Sequence, residues 1–205
     1  MKGIELLKSK EWSGKIVDCA LRFALAGALS GAQVFGGYAP LALGMTAASG
    51  AGVRGLSALV GASAGAFLFL PFTHALRTFA AAVLIFTANN AFFDLKVYQK
   101  RAFLPLLTAG LMFSVEFVYV LRDGVGEAAN CLIALLLASL GTMSARALLA
   151  PEEKEQPFAP LLILLGVLMS AASYETANGF APGRILSLLA VLLCAFERSG
   201  AVSVP

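Results

Sequence analysis

The sequence predicts an all-α, polytopic transmembrane helix bundle of about eight hydrophobic segments, with its N-terminus in the cytoplasm. Three observations predict it: the scarcity of charge, the length of the apolar runs, and the uneven distribution of Lys and Arg between those runs. Hydrophobic residues make up 59% of the 205 residues and charged residues only 13%, with a mean hydropathy of +0.84. A soluble domain carries about 25% charged residues. So few charges cannot coat a water-facing surface, and lipid is therefore the expected outer solvent. No basic stripe with interleaved aromatics is present, which argues against nucleic acid as a partner. Cys19, Cys131 and Cys194 stand singly within apolar runs, without a CxxC pair, and read as small packing residues rather than metal or redox groups.

The chain opens with a polar stretch, 1–15, taken as a cytoplasmic N-terminal segment. It carries Lys2, Lys8, Lys10 and Lys15, while Ile4, Leu6, Leu7 and Trp12 would let it lie on the membrane surface as a short helix. The first apolar run begins only after Lys15, contains Asp18 and Arg22, and continues to Phe35. That is an uncleaved span rather than a signal peptide. The transmembrane domain covers 16–196, with apolar segments at 16–35, 37–51, 55–72, 76–93, 102–121, 127–149, 158–174 and 182–196. A crossing takes about 20 helical residues, so the second and last segments are short and call for tilt, local thinning or burial within protein. Residues 197–205 form a cytoplasmic tail or a truncation point.

Charge parity supports the eight-segment count. With the N-terminus inside, the inner face receives Lys2, Lys8, Lys10, Lys15, Arg54, Lys96, Lys100, Arg101, Arg146, Lys154 and Arg198, eleven of the fifteen basic residues. The outer face receives Arg77, Arg122 and Arg184, in keeping with the positive-inside rule. Merging 37–72 into one crossing would strand Arg54 at mid-membrane and move Lys96, Lys100 and Arg101 outside.

Helix contacts are also legible. Gly27 and Gly31 form a GxxxG pair in the first segment, and Ser57, Gly61 and Gly65 repeat at four-residue spacing in the third. Small residues four apart share one helix face and let two backbones approach closely. The N-terminal third is therefore expected to be a tight helical cluster.

Five features carry candidate functional or packing residues. In FGGYAPLALGM (35–45), Gly36 and Gly37 supply backbone freedom and Pro40 lacks an N–H. These break the chain near the outer surface, either as a tight loop between spans or as a re-entrant turn lining a site. Asp18 and Arg22, four apart, are expected to pair on one helical face, neutralised near the inner interface rather than acting as a proton relay. Glu116 in FSVEFVYV has no positive partner one turn away. It either serves a function, snorkels outward, or meets Arg77 or His74 of another helix. Asn89 and Asn90 offer interhelical hydrogen bonds. His74, the sole histidine, lacks the surrounding ligands of a metal site, and PEEKEQP (151–157) reads as a solvated cytoplasmic loop. No Walker A, GxSxG, HExxH or strand-linked GxGxxG sequence occurs. No cofactor is implied, and an enzyme is not expected from these residues.

Residues 31–94, with Gly36, Gly37, Ala39 and Pro40 in a Gly-x-x-Ala-Pro-like turn, then Gly55, Gly61, Gly65 and Ala75–Arg77, resemble the N-terminal membrane region of the stage II sporulation protein E family. The run GRILSLLAVLLCAF (183–196) is similar to the late span of that family. The resemblance implies about ten membrane helices before a cytoplasmic metal-dependent serine/threonine phosphatase, which acts on a phosphorylated anti-anti-sigma factor to activate the forespore sigma factor. It further implies work at the asymmetric division septum with the tubulin-like division protein. This sequence stops at ERSGAVSVP, so the phosphatase and its aspartate ligands have no counterpart here. The chain reads as a fragment or a shortened relative, and no catalytic residue carries over.

Two functions follow as expectations. One is a plasma-membrane anchoring and localising module that self-associates, with the septum and the cell-division and sporulation proteins as implied surroundings. Its cytoplasmic loops would then contact partners or anionic lipid. The alternative is a small-solute carrier or vitamin-capture membrane component, with residues 35–45 and Glu116 lining its site.

Overall fold

A computed structural model describes residues 2–35, 37–123, 125–149 and 159–173. Among these residues the chain forms seven α-helices: α1 (Lys2–Ser30), α2 (Pro40–Ala48), α3 (Gly52–Phe69), α4 (Phe72–Phe92), α5 (Phe103–Asp123), α6 (Val125–Leu149) and α7 (Ala159–Ser173). A single 3-10 turn, Lys96–Gln99, links α4 to α5. The eighth expected segment (182–196), the loop 151–157, the tail 197–205 and Gly36 lie outside the described residues.

The described residues are all-helical, and four of their helices are long and apolar enough to cross a membrane: α3, α4, α5 and α6. Eight crossings are not confirmed among the described residues, where three of the helices fall outside this set. Helix α1 carries Lys15, Asp18 and Arg22 along its middle turns. The described part of helix α7 has 15 residues, a rise of about 22 Å. Helix α2 has nine, a rise of only about 13 Å, less than half the ~30 Å hydrocarbon core.

Two boundaries differ from expectation. Helix α1 does not break at residue 15, because nothing between Lys2 and Ser30 interrupts its backbone hydrogen bonding and the stretch holds no proline. The second segment, expected over 37–51, is helical only from Pro40 to Ala48. A turn precedes it, in which Val34 and Tyr38 exchange backbone hydrogen bonds of 2.9 and 3.1 Å. Pro40 then takes the first helical position, where its missing N–H costs nothing. Gly50 and Gly52, at φ +76° and +72°, end the segment by turning the chain into α3.

Helices α1 and α3 run parallel. Asp18 pairs with Arg54 at 2.8 Å, Gly27 stands against Gly61 and Gly65, and Gln33 Nε2 donates to the Phe69 carbonyl at 2.6 Å, so residue numbers rise together along both helices. The contact is made by glycine: a Cβ on Gly61 would strike the Phe23 carbonyl, and one on Gly65 the Gly27 carbonyl. Ser30 Oγ seals it, donating to Ala62 O at 2.9 Å.

A parallel α1 and α3 require the chain between them to travel back, and α2 makes that return inside the protein. Pro40 through Ala47 are all buried. Leu41 packs beside Leu29 against Gly166 of α7, and Gly44 lies on the Gly141–Thr142 backbone of α6. At its far end the Ser49 carbonyl accepts from Arg22 Nη1 at 3.4 Å. Helix α2 therefore descends beside α1 and stops near Arg22.

The other helices enclose it. Helix α4 returns beside α3, with Asn90 Oδ1 accepting from Gly52 N at 3.1 Å. Thr142 of α6 hydrogen-bonds Thr108 of α5 at 3.2 Å. Outward-facing residues such as Leu68, Leu106, Val118 and Leu136 are large, apolar and exposed, the surface that lipid contact requires. Helices α5 and α6 also contribute to the buried core, through Met112 and Ala138.

Two ends result. At the first, where α3 begins and α6 ends, stand Lys15, Arg54, Lys96, Lys100, Arg101 and Arg146. At the second, where α4 begins and α5 ends, stand His74, Arg77 and Arg122.

Candidate functional site

The short helix has a polar cluster at each of its ends. At the second end, the turn before Pro40 delivers Tyr38 into the bundle, 3% exposed. Its hydroxyl donates to Glu127 Oε1 in the first turn of α6 at 2.6 Å. The His74 ring of α4 lies directly on Gly37, leaving no room for a Cβ there, and meets the Tyr38 ring edge-on with centroids 6.4 Å apart. Gly37 is thus needed for close approach. Gly36 is outside the described residues.

One turn further along α4, Arg77 Nη1 contacts Glu116 Oε2 of α5 at 3.4 Å, the two side chains only 6% and 7% exposed. The Arg77 guanidinium carbon sits 3.3 Å above the Tyr119 ring centroid. A desolvated cation over an aromatic face gains about 2 kcal/mol. The pairing removes the need for Glu116 to snorkel, and α4 supplies the partner that α5 lacks. Arg77 Nε has no hydrogen-bond partner among the described residues.

Asn89 of α4 reaches the other end of α2, donating from Nδ2 to the Ala47 carbonyl at 3.0 Å, fully buried. Asn90 bridges to α3 instead, through Gly52 N. The adjacent amides therefore stitch α4 to two different helices.

At the first end, Asp18 holds two guanidinium groups. Arg22 Nε lies 2.9 Å from Oδ1 and Arg54 Nε 2.8 Å from Oδ2. The expected i,i+4 pair exists, and Arg54 makes it a triad. Beside it opens a cavity of about 610 Å³ lined by Arg22, Ser49, Arg54, Asp94, Tyr98 and Arg146. Burial pushes the Tyr98 phenol upward from its ordinary pKa, against a smaller opposing pull from Arg146, so the hydroxyl stays protonated and able to donate at neutral pH. Its oxygen has no partner among the described residues.

Sequence reasoning singled out Asp18, Arg22, Gly36, Gly37, Pro40, Arg77, Asn89, Asn90 and Glu116, of which Gly36 lies outside the described residues. The fold gathers Gly37, Arg77 and Glu116 at one end of α2, and Asp18, Arg22 and Asn89 toward the other. It missed Tyr38, Glu127, Tyr119, Tyr98 and Arg146 as members of these clusters. Tyr38 was within reach, as the one polar side chain in the broken FGGYAP stretch. The others had no signal, because each joins only through packing between distant helices. No group of three His, Cys, Asp or Glu side chains able to hold a metal converges among the described residues. No family model, curated protein or solved structure matches this chain.

Proposed function

We propose that this chain is a plasma-membrane anchoring and localising module, threaded with its N-terminus and its Lys/Arg-rich first end in the cytoplasm. In this reading α2 with its flanking turns is the second of eight crossings, shortened because protein shields it. The observation that carries the proposal is the closure of the interior. Arg77 meets Glu116, Tyr38 meets Glu127 and Asn89 meets a backbone carbonyl, so each of these buried side chains is engaged in helix–helix attachment. The outer faces meanwhile are apolar.

The narrower reading, an anchor for a sporulation phosphatase at the division septum, is supported by the resemblance of residues 31–94. Self-association and contact with division proteins belong to that same proposal. The test is a fluorescent fusion of the full chain in a spore-forming bacterium, alongside reporter tags on both termini. Septal enrichment that survives Glu116→Gln supports the anchor, and an N-terminal tag reporting from outside the cell defeats the threading.

A second reading, a carrier or capture component for a small solute, is favoured by the cavity at the first end of the bundle, beside Ser49. Solute uptake by cells expressing the chain, abolished in Tyr98→Phe within that cavity while the chain stays helical, would displace the anchoring proposal in its favour.

A further inference from the structure

The first end of the bundle combines two features that share one residue. The polar cavity presents the guanidinium groups of Arg22, Arg54 and Arg146, drawn from α1, α3 and α6, together with the Tyr98 hydroxyl. On the other side of Arg54 lies a second hollow, mostly apolar, lined by Ile16, Cys19, Val53 and Lys15. Ile16 and Val53 are 61% and 73% exposed, so this groove opens to the outside of the bundle, where acyl chains would run.

Asp18 does not cancel the charge. It fixes Arg22 and Arg54 side by side, one on each carboxylate oxygen, so two cations share one anion. Asp94 also lines the cavity, and Lys15 adds a further cation at the groove. The cluster stays net positive. Guanidinium groups bind phosphate oxygens with directed N–H donors, and basic pockets between helices on the cytoplasmic side are sites for anionic headgroups.

We propose that this end of the protein binds one anionic phospholipid, its phosphate held by Arg54 and Arg146 in the cavity and an acyl chain lying in the groove past Ile16 and Val53. The protonated Tyr98 hydroxyl donates to the same headgroup. The proposal rests on the membrane reading alone and not on the anchoring role, and the need for detergent during purification tests that reading separately.

Native mass spectrometry of the full chain in detergent tests it, with titration by phosphatidylglycerol, phosphatidylcholine and soluble glycerol phosphate. One phosphatidylglycerol per chain is expected, with weaker retention of phosphatidylcholine. Arg54→Gln and Arg146→Gln should each weaken it about fivefold, and Tyr98→Phe should weaken it less. Lys100→Gln, an exposed residue outside the cavity, should leave it unchanged. Circular dichroism confirms that each variant remains helical, and Arg54, more than half exposed, is the substitution least able to disturb the fold. Equal retention of the two lipids, an equal loss in Lys100→Gln, or no loss in Arg54→Gln overturns the proposal. Glycerol phosphate competing as well as the lipid does would assign the cavity to a soluble phosphate and overturn the lipid.

Discussion

Substituting Gly61 by valine tests the contact that organises the bundle. A Cβ at Gly61 meets the backbone of Phe23, its carbonyl oxygen first, and a backbone cannot swing aside as a side-chain tip can. Helices α1 and α3 would have to separate by roughly an ångström, and overpacking of this kind costs about 1–3 kcal/mol. The same displacement stretches the Ser30 Oγ–Ala62 O hydrogen bond from 2.9 Å beyond bonding range, a further loss of about 1 kcal/mol. Against this, valine is the better helix former by a few tenths of a kcal/mol. The net expectation is destabilisation of about 2–3 kcal/mol. Reversible unfolding in mixed detergent micelles, followed by circular dichroism, reads it directly. Gly110→Val supplies the control, because no atom lies within 4 Å of a Cβ placed there, and its stability should stay close to that of the parent. Equal stability of the two variants would refute the parallel glycine contact.

Three further outcomes follow from the clusters around α2. Glu116→Gln leaves the Arg77 charge without its counter-ion and should destabilise by about 3–5 kcal/mol, while Arg77→Met with Glu116→Leu should recover most of that loss. Single and double variants of equal stability in the same unfolding assay would remove the ion pair from the argument. Tyr38→Phe takes the donor from Glu127 and should cost about 1–3 kcal/mol; an unchanged transition would mean that the hydroxyl bond contributes nothing. Gly37→Ala should be destabilising and substantially rescued by His74→Ala, since the His74 ring occupies the space of the added methyl. Purely additive effects of the two changes would contradict that contact.

What the sequence discloses is what local chemistry controls. The starts and ends of α3 to α7 fall close to the hydrophobic runs, because each run is bounded by Gly, Pro or charge. The spacing of Gly27, Gly61 and Gly65 announces a close helix contact but not its direction, which only the run of contacts from Asp18–Arg54 to Gln33–Phe69 reveals. The second segment was legible as short, yet its helix of nine residues was not. Apolar residues read alike whether they face lipid or protein, and Leu41, Leu43 and Met45 are buried in protein. The site was half legible for a related reason. Glu116 stood out as a carboxylate in an apolar run and Arg77 was among its candidate partners, but the two lie 39 positions apart on different helices, and no periodicity could choose Arg77 over His74.

The short second helix is a consequence of the glycine contact and not an independent feature. Once α1 and α3 pack in parallel, some stretch between Gly31 and Ala51 has to reverse through the layer they span, and about 20 residues must also make a turn at each end. A full helix of some 20 residues does not fit that length. The solution is nine helical residues with non-helical backbone on both sides. Backbone of that kind is tolerated at membrane depth only where protein satisfies or shields it. Complete burial of Pro40 to Ala47 meets that demand along the helix. Flanking groups meet it at the C-terminal end, where Arg22 takes the Ser49 carbonyl and Asn89 takes that of Ala47, while at the other end Pro40 has no N–H to satisfy. The polar residues that stand out in this apolar sequence therefore gather around α2 because α2 is where helical hydrogen bonding runs out.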